Sequence, residues 1–282
     1  MKTITLLALL SAELTASGAG NSKQDAVELN NAGERYATQG RYDLAEEQYL
    51  KSLEVARIVF GPESAEVAIR LNNLGQVAAH TQRPTEAERL YRQALSITRR
   101  ARGANHPHVA VTLNNLAQLM IQRKKYSAAE PLFLQSLQIW EASVGTAHPD
   151  YASGLSNLAT MHHLRRRYAK AEELYRQCLT IDEAALGPQH PAVARDLNNL
   201  GTVAFETRRY AEAEPLYVRA LRIREAILDS NHPALQDSLA NLAELYFRMG
   251  RSAEAELAAT KAMTIRVKNT LRDGRMLTSK SQ

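Results

Sequence analysis

Asn31, Asn73, Asn115, Asn157, Asn199 and Asn241 stand 42 residues apart, with no insertion or deletion between them. An unbroken period of this length marks a solenoid or a propeller, in which each unit buries its apolar face against neighbouring copies. Six units of 42 account for 252 of the 282 residues, and the rest fits a short leader and a short tail. The local pattern chooses between the two architectures. In each unit one run, such as Leu113, Leu116 and Met120, recurs at helical spacing, and a second run, Ala129, Leu132, Phe133 and Leu137, does the same. Each unit therefore reads as two antiparallel helices. Only 13 Gly, 9 Pro, one Trp and four Phe are present, too few for the many turns and aromatic signatures of a sandwich or propeller.

The links between units carry helix stop and start signals. Three read Gly103-Ala-Asn-His106-Pro107, Gly145-Thr-Ala-His148-Pro149 and Gly187-Pro-Gln-His190-Pro191. Gly suits the residue just past a helix end, and Pro suits the first turn of the next helix, where its missing N–H costs nothing. The link at Asp229 to Pro233 lacks the Gly, and the one at Gly61 to Ser64 lacks His-Pro. Successive His-Pro pairs lie two helix widths apart, each about 8–10 Å. One zinc holds its nitrogens at about 2 Å, so these histidines are expected to cap helices and not to bind metal.

Hydrophobic residues make up 45% of the chain and charged residues 23%, with a net charge of +5. That describes a chain able to bury a core and mildly attracted to anionic surfaces. One cysteine excludes an internal disulfide framework and a multi-cysteine zinc site. Met1-Lys2-Thr3, the apolar run Ile4 to Leu10 and the small residues Ser17 to Gly20 follow the order of a secretory signal. The expectation is a signal peptide over residues 1–19 and an exported protein, periplasmic or secreted. A first amphipathic helix of a cytoplasmic protein is the other reading of the same residues. No stretch is long enough to span a bilayer as a helix.

The motif Leu71-Asn72-Asn73-Leu74 returns as Leu113-Asn114-Asn115-Leu116 and Leu197-Asn198-Asn199-Leu200, each followed by Ala-Glu at Ala87-Glu88, Ala129-Glu130 and Ala213-Glu214. With the pairs Ala45/Tyr49, Ala87/Tyr91, Ala129/Phe133, Ala171/Tyr175 and Ala213/Tyr217, the chain resembles the 42-residue tetratricopeptide repeats of kinesin light chain and its bacterial relatives. The resemblance implies an all-α fold, a right-handed α-solenoid of six helix-turn-helix repeats over residues 24–268, with a polar basic tail over 269–282. The sixth unit has Ala259 in place of the aromatic, as befits a terminal repeat.

At about 100° per residue, Ile69, Asn73, Gln76 and His80 fall on one stripe of their helix, opposite Leu71, Leu74 and Ala78. The resemblance implies that this Asn face lines a groove holding the backbone of an extended peptide. The groove residues are Asn31, Asn73, Gln76, Asn115, Gln118, Asn157, Asn199, Asn241 and Glu244. An amide offers both donor and acceptor, which suits a peptide of varied sequence. The same amides bridging adjacent helices is the competing reading. Groove charges at Glu34, Glu206, Asp237 and Glu244 are opposed by Arg195 and Arg248, so an internal segment with a basic residue near Asp237 and Glu244 is the expected ligand.

Basic residues at Arg41, Arg83, Lys125, Arg167, Arg209 and Arg251 mark the turn inside every unit. They form a ridge open to phosphates, or else pair with the acids Glu46, Glu88, Glu130, Glu172, Glu214 and Glu256. The matching acids argue against a nucleic-acid partner. Cys178 falls in the small-residue column of Ala94, Ser136, Ala220 and Ala262 and is expected buried and inert, while His162 packs inward and His163 is exposed. No Gly-rich phosphate loop, nucleophile elbow or His-Glu-x-x-His motif occurs, so no catalysis and no cofactor are expected. The chain reads as a non-catalytic scaffold for a protein or peptide partner. A structural assembly subunit using the solenoid ends or edges, and a receptor for anionic polymers along the ridge, are the alternatives.

Overall fold

The computed structural model describes residues 23–278, so the leader reading at residues 1–19 lies outside it. The described residues form twelve helices and no strand. The chain divides into two compact units, one ending at Gly145 and one beginning at Thr146. The first unit holds α1 (Lys23–Thr38), α2 (Tyr42–Phe60), α3 (Ala65–His80), α4 (Pro84–Arg102), α5 (Pro107–Gln122) and α6 (Tyr126–Val144). The second holds α7 (Pro149–Leu164), α8 (Tyr168–Leu186), α9 (Pro191–Glu206), α10 (Tyr210–Ile227), α11 (Pro233–Arg248) and α12 (Ser252–Thr278). In each unit three helix pairs follow one another, and every pair packs on the next. This is the α-solenoid that the repeat implied. The last helix runs through Thr278, so the residues expected as a polar tail are helical for most of their length.

The links behave as their residues dictate. Gly61, Gly103, Gly145 and Gly187 take φ between 85° and 90° with ψ between 152° and 167°, a region essentially closed to side chains. Where the Gly is missing, α10 ends at Ile227 and Leu228 leaves the helix at φ −112° instead, so that helix has 18 residues and not 19. After each link the histidine caps the next helix. His106 Nδ1 accepts from the His108 N–H at 3.1 Å, and His148, His190 and His232 repeat the bond at 3.1, 3.2 and 3.1 Å. Ser64 does the same office for α3, accepting from the Val67 N–H at 3.4 Å. Accepting at Nδ1 requires a neutral ring. For His106, burial and the neighbouring Arg102 act in that sense, holding its pKa below the ordinary histidine value.

The Ala and aromatic pairs form the interior. Ala45, Ala87, Ala129, Ala171 and Ala213 are fully buried, with Tyr49, Tyr91, Phe133, Tyr175 and Tyr217 beside them. Each buried ring contributes about 1.5–3 kcal/mol by removal from water. Three of the rings lie on a glycine of the first helix: a Cβ built at Gly201 meets the Tyr217 ring at 2.7 Å, and Gly33 and Gly75 meet Tyr49 and Tyr91 at 2.6 and 2.7 Å. The missing side chain is what lets the ring close the gap between paired helices. Replacing Gly201 with Ala should therefore lower the unfolding free energy by about 1–2 kcal/mol, the ring's displacement outweighing Ala's better helix propensity. Urea denaturation of Gly201→Ala reads this directly, and a midpoint equal to or above that of the parent chain would contradict it.

Candidate functional site

In the first unit the Asn column forms bridges between neighbouring first helices. Asn73 Nδ2 donates to Asn30 Oδ1 at 3.0 Å, and Asn115 Nδ2 donates to Asn72 Oδ1 at 3.1 Å. In the second unit Asn241 Nδ2 donates to Asn198 Oδ1 at 3.0 Å. Adjacent asparagines point about 100° apart on a helix. One of the pair thus turns to the repeat before it and the other to the repeat after, 43 residues away. Within the second unit, among the described residues, one rung is missing: Ser156 stands where Asn30, Asn72 and Asn198 stand in other repeats, and its shorter side chain makes no bond to Asn199. Each bridging asparagine spends one of its two N–H donors and leaves its own Oδ1 outside that bond. Asn73, Asn115, Asn157, Asn199 and Asn241 are half-buried, while Asn31, Gln76, Gln118 and Glu244 are exposed.

Between α3 and α5 of the first unit the Asn face opens into a cleft of about 170 Å³, room for one side chain, bounded by Ala68, Ile69, Asn72, Asn73, Val111 and Thr112. Ile69 and Val111 give it apolar walls and Asn73 gives it an amide edge. His108 also borders it, held below the ordinary histidine pKa by burial first and then by Arg102.

The charges on this face are largely tied to neighbours. Arg195 donates Nη2 to Asp182 Oδ2 at 3.1 Å and Nε to Asp196 Oδ1 at 3.1 Å, turning towards two buried carboxyls instead of an approaching ligand. Glu206 accepts from Tyr168 Oη at 2.7 Å and lies 3.4 Å from His163 Nε2. His163 is consequently half-buried beside the Tyr168 ring, and not exposed as its position on the helix suggested. Glu244 pairs with Arg248 at 2.7 Å, and Glu34 accepts from Asn30 at 2.8 Å. His162 is buried as expected. No spacing in the chain announces the Asp182, Arg195 and Asp196 cluster, since residues 13 and 14 apart meet only once the helices are packed.

Three arginines of the turn ridge are paired from the preceding repeat. Arg83 holds both oxygens of Glu46 at 2.8 and 2.7 Å, Arg209 holds Glu172 at 3.2 and 2.6 Å, and Arg251 holds Glu214 at 2.8 Å to each oxygen. In the third repeat Arg123 reaches back to Glu88 in the same way. The acids expected to serve their own unit's turn therefore staple one repeat to the next. Cys178 is fully buried, its Sγ–H donates to the Ala152 carbonyl at 3.2 Å, and burial raises its thiol pKa. Ser52 and Ser136 make the same bond to Ala26 and Ala110, at 2.6 and 2.9 Å. Among the described residues no group of three His, Cys, Asp or Glu is placed to hold a metal, and no helix is long and apolar enough to cross a membrane.

Helix pairs at a 42-residue period, with small and aromatic residues interlocked and first helices tied by amides, define a tetratricopeptide architecture. The tetratricopeptide repeat family model matches residues 25–97, 66–142, 122–184, 150–226 and 197–266, and the chain belongs to that family. Among solved structures it is similar to BtubC (BKLC) from P. vanneervenii, at 20% identity and a TM-score of 0.66 over 88% of this chain and 92% of that one. A putative kinesin light chain of Podosopora anserina with nearly identical repeats gives 22% and 0.59 over 71% and 94%. A Rap protein complexed with competence and sporulation factor gives 15% and 0.64 over 85% and 74%. No curated protein matches the chain.

The buried Asp196 carboxyl is the group through which the second unit should respond to pH. Asp196 is fully buried and its carboxyl is pushed up to about 7, first by burial, with Arg195 opposing and Asp182 reinforcing. In the unfolded chain the same group ionises near an ordinary value of about 3.9. A raised folded pKa contributes stability that is whole below about pH 4 and lost as pH rises through about 7. Asp196→Asn, which keeps the shape and cannot ionise, should thus gain more over the parent chain at pH 8 than at pH 4, by roughly 1–3 kcal/mol. Denaturant unfolding at the two pH values checks this, and an equal difference at both would contradict it.

Proposed function

We propose that the chain is a non-catalytic protein-interaction scaffold that holds an extended segment of a partner protein along the Asn face of its first helices. The observation that carries this reading is the cleft between α3 and α5, where the amide of Asn73 borders a pocket walled by Ile69 and Val111. An extended chain offers a backbone N–H or C=O at every residue and a side chain to each face at every second one. An amide edge next to a pocket the size of one side chain fits that spacing, with exposed Gln76 and Gln118 along the same stripe. The Rap protein complexed with competence and sporulation factor has a similar fold, which supports a ligand-binding reading without naming this chain's partner. The pairing of Arg83, Arg209 and Arg251 with glutamates weakens the anionic-polymer reading, because a guanidinium already held by a carboxylate gives up that bond to take a phosphate.

Substitution of the bridging asparagines would disturb packing along with binding, so Val111, at 36% exposure, is the cleaner probe. Short linear peptides selected from a displayed random library on the immobilised chain supply the ligand. Val111→Asp places a charge in the apolar wall and should weaken the selected peptide by about tenfold or more, while Arg176→Ala on an exposed second helix leaves affinity unchanged. Fluorescence polarisation measures both, with circular dichroism confirming retained helix. A peptide whose affinity Val111→Asp does not alter would place recognition elsewhere.

A further inference from the structure

Neighbouring repeats meet in a fixed register marked by two kinds of contact. A turn arginine reaches back 37 residues to a glutamate, as in Arg83 to Glu46, Arg209 to Glu172 and Arg251 to Glu214. A residue late in a second helix meets one 14 positions later in the next first helix, as in Arg224 Nη1 to Ser238 Oγ at 2.5 Å. Among the described residues these contacts are left open in the first and the last repeat. Among the described residues Arg41, the first turn arginine, rests over the Tyr36 ring at 5.0 Å and meets no carboxylate. Glu256, the last staple glutamate, is exposed and makes no ion pair among the described residues. Glu28 and Arg266 occupy the two halves of the 14-residue contact, both exposed, bonded only to Gln24 on one side and to the Met263 sulfur on the other.

One shift by the six-repeat length of 252 residues brings Glu256 into register with Arg41 and Arg266 into register with Glu28. Both pairs have opposite charge. Between α11 and α12, where Ala259 replaces the aromatic, lies an open apolar groove of about 680 Å³ that includes Ala240, Ala243, Phe247 and Met263, with Glu244 and Glu256 at its edge. On α1 the residues Leu29, Ala32 and Tyr36 stand partly uncovered. They hold the positions that Leu239, Leu242 and Tyr246 of α11 use to pack on the repeat before them.

We propose that the α11 and α12 face of one copy receives the α1 face of a second copy, so that the chain associates head to tail through Glu256 with Arg41 and Arg266 with Glu28. The two faces differ, so the contact is heterologous and its growth with concentration is open-ended unless a ring closes. This is independent of ligand binding on the Asn face.

Sedimentation velocity of the full chain over a concentration series at low salt tests it. The sedimentation coefficient should rise with concentration and fall back as salt is added. Arg41→Glu and Glu256→Arg should each weaken association by about tenfold or more, through like charges facing each other. The doubly substituted chain, and an equimolar mixture of the two single variants, should restore it because each regains an opposite-charge pair. Far-UV circular dichroism verifies the fold of every variant. A parent chain that stays monomeric, as it would if that groove serves a foreign helix or peptide, overturns the proposal. So does association that Glu256→Arg leaves intact, or that neither the double variant nor the mixture restores.

Discussion

A single pair of helices has apolar residues on more than one face and only one partner of its own to cover them. Whatever hides the remaining face must come from the next repeat, and that dependence organises the rest of the molecule. Within a pair, a small residue and a ring share one gap, as Gly201 and Tyr217 do. Between pairs, apolar contact is supplemented by polar contacts that admit only one register. The amide rung from Asn73 to Asn30 and the bidentate staple from Arg83 to Glu46 both join residues whose separation is set by the repeat, 43 and 37 positions. Exposed ion pairs contribute little each, about 0–1 kcal/mol. Their value lies in penalising a shifted stacking, in which a glutamate would face no arginine and a half-buried amide would lose its donor.

The features legible in the sequence are those that depend on near neighbours along the chain. Helical periodicity, the Gly and His-Pro links and the buried Ala and aromatic pairs follow from spacings of one to seven residues, and the structure has them where they were expected. The intramolecular turns were harder. Gln82, Lys124, Arg166 and Arg208 adopt φ between 56° and 61°, the left-handed region, with nothing in their side chains to announce it; only Gly40 and Gly250 at the matching positions carry the usual residue. The packed helices hold these residues in place against a cost of about 1–2 kcal/mol each. The destination of long side chains was likewise hidden. Arg195 lies on the Asn stripe by helical geometry, yet it bends to Asp182 and Asp196, because two buried carboxyls attract a guanidinium more strongly than water does.

The Asn column is used for packing, and the proposed function asks the same residues to serve recognition as well. The bridging and ligand-binding readings looked like competitors while only spacing was known. In the structure the Nδ2 atoms of Asn73, Asn115 and Asn241 go to neighbouring helices, and the Oδ1 atoms are not part of those bonds. Bridging thereby fixes the rotation of each amide, and under the proposed function that fixed acceptor is a form of preorganisation that reduces the entropy lost on binding. The break at Ser156 leaves Asn199 with both halves of its amide uncommitted, and the same face in the second unit is more heavily charged.

A crystal structure of the chain with a selected peptide tests this account most directly. It predicts an extended peptide on the first helices, with a backbone N–H donated to the Oδ1 of Asn73 or Asn115 and one apolar side chain between Ile69 and Val111. A peptide seated on the basic turns or on the second helices, with those amides untouched, would contradict it.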